Sequence, residues 1–332
     1  IGLGLSSEQI DNFLNSFVEI FGIDWYNSIP EDKRDKFLNR CFYFNSGPYS
    51  LTWIIRLGEC ILNLKDIEGF DNEIITRLRD KKQFNSVAIE LDYSSCLKQA
   101  GMELELQPAL GPLKVDGKVI INKKPIFFEI ISQSSEDFKR KERNYGFQIW
   151  DFLKNKYSSR ATYIRFKKQD TDPKEKIDKL YNILESKNPP FNYEDNEMEI
   201  HIAENDGGHT IEGSIMNREK YIRTWVKRVH KKYKQLPTNI GGIIIANSTS
   251  LWDPRDIDIV LNTSWRETKE GQKTRIAGII YCTRQMLGVP STSGERISFI
   301  SPRVIINKFS KFNYTDELKA IANAISTFPN WM

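Results

Sequence analysis

Two acidic residues sit in a stretch that is otherwise apolar or neutral. The run from Val115 to Ser132 reads as two β-strands joined by a tight turn around Asn122-Lys123-Lys124. Asp116 opens the first strand, and Glu129 falls inside the apolar run Ile126 to Ile131. A carboxylate in a buried strand is costly unless its charge is compensated. A hard divalent cation is the compensation that also has chemical use, because Mg²⁺ takes carboxylate oxygens and keeps water for reaction. Mg²⁺ (or Mn²⁺) held by Asp116 and Glu129 is therefore the expected cofactor. The pair Asp116-Gly117 also suits a plain turn.

Several elements must position these acids. Phe84 to Ala100 reads as a helix with Val87, Ile89, Leu91 and Leu97 on or near its buried side, stopped by Gly101. Met102 to Leu106 alternates like a strand, and Pro108, Gly111 and Pro112 make a turn. After the two acid-bearing strands comes Glu136 to Lys156, an amphipathic helix with Phe147, Trp150 and Leu153 and a basic outer face. Ala161 to Phe166 is the next strand. The order is helix, three strands, helix, strand, a mixed α/β layer arrangement.

That order and those acids resemble the PD-(D/E)xK nuclease superfamily, the restriction-endonuclease-like fold, over about residues 84–168. The resemblance implies an α/β fold with a mixed central sheet flanked by helices. It implies a metal-dependent nuclease that hydrolyses DNA phosphodiester bonds, with Asp116 and Glu129 as the motif acids. Glu90, in the preceding helix, matches a helical acid that adds a metal ligand or orients water in several branches. Gln148 matches a glutamine of the exonuclease branch. The motif lysine belongs at position 131, which is Ile131 here. Lys124 or Lys123 in the turn, or Lys118 on the second strand, are the candidates to replace it, with Lys124 expected in the catalytic set. The alternative is a degenerate site, a nuclease-fold protein that binds nucleic acid or a protein partner without cutting.

The flanking regions read differently. Residues 1–80 look helical: Ser6-Ser7-Glu8-Gln9 resembles a capped start, and Ile10, Phe13, Leu14, Phe17, Val18 and Phe21 recur at helical spacing before Gly22. Further helices are expected from Pro30, over Ser50 to Leu64 and over Asn72 to Arg79. This region carries no visible chemistry and is expected to cap the fold or to meet a protein partner or a second copy. The division expected is 1–80, 84–187 and 190–332, with Lys187-Asn188-Pro189-Pro190 as linker. In the last region, residues 174–186 form a helix, Met198 to Ile202 a strand, Asn205 to Gly213 a polar loop or hairpin, and Asn217 to Leu236 a basic helix. Gly241 to Ala246, Ile276 to Cys282 and Ile297 to Ile306 are strands. Leu251 to Asn262 holds a short helix, and Asp316 to Ile325 closes the chain.

Net charge is +4 over 332 residues, too mild to indicate nucleic acid by itself. The distribution says more. Lys139, Arg140, Lys141 and Arg143 follow the third strand. The helix after Asn217 carries Arg218, Lys220, Arg223, Lys227, Arg228, Lys231, Lys232 and Lys234, interleaved with Tyr221, Trp225 and Tyr233. Clustered Lys and Arg on one helix face form the electrostatic footprint of a phosphate backbone. Arg140, Arg143, Arg223, Lys227, Arg228 and Lys231 are the expected nucleic-acid contacts, and DNA the expected partner. A solvated face with its aromatics in the core is the plainer reading.

Four cysteines, at 41, 60, 96 and 282, match no zinc spacing and suit reduced thiols of a cytoplasmic protein. Three histidines are too scattered for a zinc hydrolase site. No apolar run approaches the roughly 20 residues of a membrane span. The opening Ile-Gly-Leu-Gly-Leu lacks the basic start of a signal peptide, and without an initiator Met it is expected to be trimmed. Neither Gly207-Gly208-His209 nor Gly241-Gly242 has the spacing of a phosphate loop, and Ser132 and Ser134 lack a sequence-near His or Asp for nucleophilic chemistry.

Overall fold

The computed structural model describes residues 4–31, 48–80, 82–111, 113–133, 136–168, 172–213, 218–248, 258–259, 261–262, 265, 273–286 and 298–328. In chain order the elements are α1 (Ser7–Phe21), α2 (Ile23–Ser28), α3 (Pro48–Leu64), α4 (Asn72–Arg79), α5 (Phe84–Gln99), β1 (Glu103–Leu106), β2 (Ala109–Leu110), β3 (Leu113–Lys114), β4 (Gly117–Ile121), β5 (Lys124–Gln133), α6 (Glu136–Tyr157), β6 (Arg160–Phe166), α7 (Pro173–Glu185), β7 (Phe191–Glu194), β8 (Met198–Asp206), β9 (His209–Glu212), α8 (Arg218–Lys232), β10 (Gly242–Ser248), β11 (Ile276–Met286), β12 (Ser298–Ile306) and α9 (Thr315–Thr327). The fold is mixed α/β. The chain divides into two compact units, residues 1–133 with 227–332, and residues 134–226.

The first unit is built on a six-stranded sheet in the order β1-β4-β5-β10-β11-β12. The β1, β4 and β5 strands form an antiparallel meander, whereas β10 runs parallel to β5 and to β11, and β12 closes the edge antiparallel to β11. The β4–β5 turn holds Asn122 and Lys123 at positive φ (51° and 65°), as a two-residue hairpin of this hand demands. Central position explains composition: from Ile126 to Ile131 every residue of β5 is buried, as is Gly242 to Asn247 of β10. A strand covered on both faces reads as a continuous apolar run rather than an alternation.

This pairing corrects the expected position of the fourth strand. Ala161 to Phe166 does not join the sheet that carries Asp116 and Glu129. It lies in β6 of the second unit, and β10 takes the place beside β5. The physical reason is burial. Arg160–Phe166 exposes Arg165 between buried Ile164 and Phe166, which suits a sheet with one solvated face. Ile243, Ile244 and Ile245 are all fully buried, which suits the middle of a covered sheet.

The helical N-terminal region is likewise not a separate body. Phe17, Phe21, Leu57, Leu64, Ile74 and Leu78 share one hydrophobic core with Leu91 and Leu97 of α5, Phe128 of β5, Ile245 of β10 and Ile321 of α9. The expected boundaries near 80 and 190 therefore cross a single core. The start of α1 is as read: Ser6 and Gln9 form a reciprocal capping box. Val18, expected on the apolar stripe, is 56% exposed. The helix expected from Pro30 falls mostly, and that from Leu251 largely, outside the described residues.

The second unit places α6 and α7 over one face of a four-stranded sheet in the order β7-β8-β6-β9. Its core joins Ile149 and Leu153 of α6, Ile177 and Leu180 of α7, Ile164 of β6 and Ile200 of β8. The expected hairpin at Asn205 to Gly213 does not form as such. The β9 strand pairs in parallel with β6 instead of turning back on β8.

Candidate active site

The two acids meet. Asp116 immediately precedes β4, and Glu129 lies mid-β5, one position from the Gly117–Phe128 pair that joins the strands. Gly117 is required by this contact and not by a turn. A Cβ there would stand 2.2 Å from the Phe128 ring, so any side chain would have to displace that buried ring. The Asp116 carboxylate is fixed from across the hairpin, where the Ile130 N–H donates to its Oδ2 at 2.7 Å.

Between the acids stands a cation that the strand sequence does not contain. Lys232 Nζ donates to Glu129 Oε2 at 2.5 Å and to Asp116 Oδ2 at 3.1 Å. It comes from the last residue of α8. Alternation along β5 puts Ile126, Phe128 and Ile130 into the core shared with α5, so Phe127, Glu129 and Ile131 belong to the other face. Ile131, the position at which the resemblance expects a lysine, is a buried apolar neighbour on that face, and the ammonium reaches the carboxylates from α8.

Burial sets the electrostatics. The Glu129 side chain has no exposed surface. Its pKa is pushed up to about 9, by desolvation first and by the negative Asp116 second, with Lys232 opposing both. Burial alone would lower the Lys232 pKa, but the two carboxylates outweigh it and hold the ammonium above its ordinary value. One oxygen of Glu129, Oε1, is buried and has no hydrogen-bond partner. An orphaned buried carboxylate oxygen costs free energy unless something else binds it.

Glu90 stands near this pair without joining it. Arg77 Nη2 donates to both of its carboxylate oxygens at 2.9 Å, and Ser86 Oγ donates to Oε1 at 3.1 Å. Burial and then Asp116 raise the Glu90 pKa, while Arg77 and Lys232 pull it down. Among the described residues no three Asp, Glu, His or Cys side chains gather as a metal cluster. The arrangement offers two carboxylates, not the three expected from Asp116, Glu129 and Glu90. Two are enough for Mg²⁺, which keeps several waters and takes only one or two carboxylates from the protein.

The chain matches no family model, no curated protein and no solved structure.

The other expected site residues lie elsewhere. Lys124 begins β5 and pairs with Glu317 at 3.1 Å. Five residues of extended strand separate it from Glu129, about 16 Å, so its ammonium does not reach the acids. Lys118 pairs with Glu105 on β1, and Lys123 is exposed in the turn. Gln148 is exposed on α6, in the second unit. The helix that leads into β10 is α8. On α8, Arg223, Lys227 and Lys231 are exposed and Arg228 is half-buried. Arg140 and Arg143 lie within α6, with side chains outside the described set. Cys60, Cys96 and Cys282 form no disulfide, and Cys41 lies outside the described residues. Among those residues no helix is long and apolar enough to cross a membrane.

Lys232 was legible as one more charge on a basic helix, and that hid it. Its spacing was the signal. Trp225, Val229, Lys232 and Leu236 fall at i, i+4, i+7 and i+11, the period of a buried stripe, and the other three are buried. A lysine on the apolar side of a helix needs a buried acid, and Glu129 is one.

Proposed function

We propose that this chain is a metal-dependent nuclease of the restriction-endonuclease-like type, cutting DNA at the site of Asp116, Glu129 and Lys232. The observation that carries the reading is the buried Glu129 carboxylate, which shares one ammonium with Asp116 and keeps a second oxygen unpartnered. The element order supports it: helix α5, the antiparallel strands β1, β4 and β5, then helix α8 and the parallel strand β10, with residues 134–217 between β5 and α8.

Asp116 and Glu129 would hold Mg²⁺ with their anionic oxygens. The bound ion would lower the pKa of its water and neutralise charge on the phosphate. Glu129 must first release the proton that burial favours. Asp116 keeps its orientation through the Ile130 N–H. Lys232 would then turn its ammonium from the carboxylates to a phosphate oxygen, where a point charge stabilises the pentavalent transition state. The exposed Arg223, Lys227 and Lys231 supply the long-range attraction for a polyanion.

The test is nicking of supercoiled plasmid in Mg²⁺ or Mn²⁺. Cleavage by the wild-type chain that is lost in Asp116→Asn and in Glu129→Gln supports the assignment. Equal cleavage by all three would end it. One observation favours a binding-only protein. Lys232 already compensates both acids, as a purely structural ion pair would. Salt-dependent DNA binding without nicking in either metal would select that reading.

A further inference from the structure

The second unit exposes two large aromatic side chains where the helical pattern leads one to expect burial. Phe147 of α6 is 65% exposed and Trp150 is 41% exposed. The core of this unit is made instead by Ile149, Leu153 and Tyr157 on another side of the same helix. Trp150 is not loose. Its ring meets His209 of the edge strand β9 edge-on, with centroids 5.2 Å apart and planes at 88°, so one face of the indole is held at a set angle.

The aromatics continue a line. Positions 140, 143, 147, 150 and 154 are spaced by three and four residues, so on an α-helix they share one face. In sequence that line reads Arg140, Arg143, Phe147, Trp150, Lys154. Lys154 is exposed. By spacing, Glu136 also falls on this line in sequence, and Asp151 flanks it. Two exposed flat rings with an exposed lysine one turn further on have the composition of a stacking surface for unpaired bases, Lys154 meeting phosphate and the rings meeting base faces. Paired bases keep their faces inside the duplex, so such a surface discriminates in favour of single strands.

We propose that this face of α6 binds single-stranded nucleic acid, with bases stacked on Phe147 and Trp150. The proposal names unpaired strand as the substrate class of the nuclease reading above and rests on it for that use. The binding itself is a property of residues 136–157.

The test uses the full chain and fluorescence anisotropy of labelled poly(dT), beside a duplex of equal length. Phe147→Ala and Trp150→Ala should each weaken poly(dT) binding roughly tenfold, while duplex binding changes less than about twofold and Trp150→Phe stays near wild type. Both residues are exposed, so unchanged thermal melting should accompany the loss. Wild-type affinity for poly(dT) in the alanine variants, or an equal loss on duplex, would overturn the proposal. So would binding to phosphatidylserine vesicles that needs both aromatics in a chain that ignores poly(dT). Asp116→Asn separates this inference from the nuclease reading. It should abolish nicking and keep poly(dT) affinity. If the wild-type chain binds poly(dT) through the aromatics yet never nicks, the nuclease reading fails and the binding surface stands.

Discussion

Lys232 Nζ lies 2.5 Å from Glu129 Oε2, across 103 positions of sequence. The pair joins the end of a basic helix to the middle of a fully covered strand, and Asp116 completes it. Breaking it leaves a buried carboxyl group without its cation. Lys232→Met should therefore cost about 3 kcal/mol of folding stability near pH 9, where Glu129 would otherwise be ionised. The cost should shrink near pH 6, where Glu129 can take up a proton instead. Urea denaturation at the two pH values checks this. In the nicking assay the same variant should lose at least about 100-fold, the scale for removing a preorganised charge donor. Stability equal to wild type at both pH values would mean that the ammonium does not compensate Glu129.

Glu129 should give the fold an unusual pH dependence. Its folded pKa of about 9 lies above the ordinary value of 4.5. The folded chain thus holds a proton that the unfolded chain releases. The stabilising effect is complete below about pH 4.5 and is lost progressively as pH rises towards about 9. Glu129→Gln mimics the protonated group and removes this dependence. The melting temperature of the variant should exceed that of wild type by more at pH 8.5 than at pH 5.5, measured without metal. A constant difference across that range would show that Glu129 does not titrate there.

If Asp116 and Glu129 hold Mg²⁺ as proposed, the same proton couples to the metal. Mg²⁺ needs the carboxylate form of Glu129, so binding at pH 7 must release about one proton per ion. Calorimetric titrations in two buffers of different ionisation enthalpy should give different apparent heats, and affinity should rise with pH up to about 9. Asp116→Asn/Glu129→Gln should show no heat beyond dilution. Chelation by EDTA should abolish nicking, and added Mn²⁺ should restore it. Buffer-independent heats with tight binding would place the ion at some other site.

Much of this was readable from short-range pattern, and the rest failed for one physical reason. The hairpin, the burial of Glu129, the capping box at Ser6 and the helix Asn72–Arg79 all follow from neighbours within a few positions. Which strand pairs with β5 does not. Ala161 to Phe166 is the next strand in the chain, yet it pairs with β8 and β9. The fully apolar Ile243-Ile244-Ile245 fits the covered position better, and β10 occupies it. Lys124 is near the acids only in sequence, and Gln148 rests on the resemblance alone, whereas the place of Lys232 on the Trp225–Val229 stripe marks it as inward-facing. Phe147 and Trp150 misled in the opposite sense, because aromatics at helical spacing usually mark a core.

Arg77 and Glu90 complete the charge balance around Asp116. Arg77 Nη2 grips both Glu90 oxygens at 2.9 Å, and the Glu90 side chain is only 11% exposed. Burial and Asp116 already raise the Glu90 pKa, and Arg77 is the larger of the two cations that restrain it. Arg77→Ala removes that restraint. The Glu90 pKa should then rise further, and the fold should lose about 1–3 kcal/mol near pH 8, less near pH 5. Glu90→Gln in the same background should recover most of the loss at pH 8, because the amide carries no charge to bury, and a double-mutant cycle measures this coupling directly. If the two substitutions add without coupling, the Arg77–Glu90 contact is not what holds this acid beside Asp116. If Arg77→Ala also cuts nicking while Glu90→Gln does not, the guanidinium itself serves the phosphate.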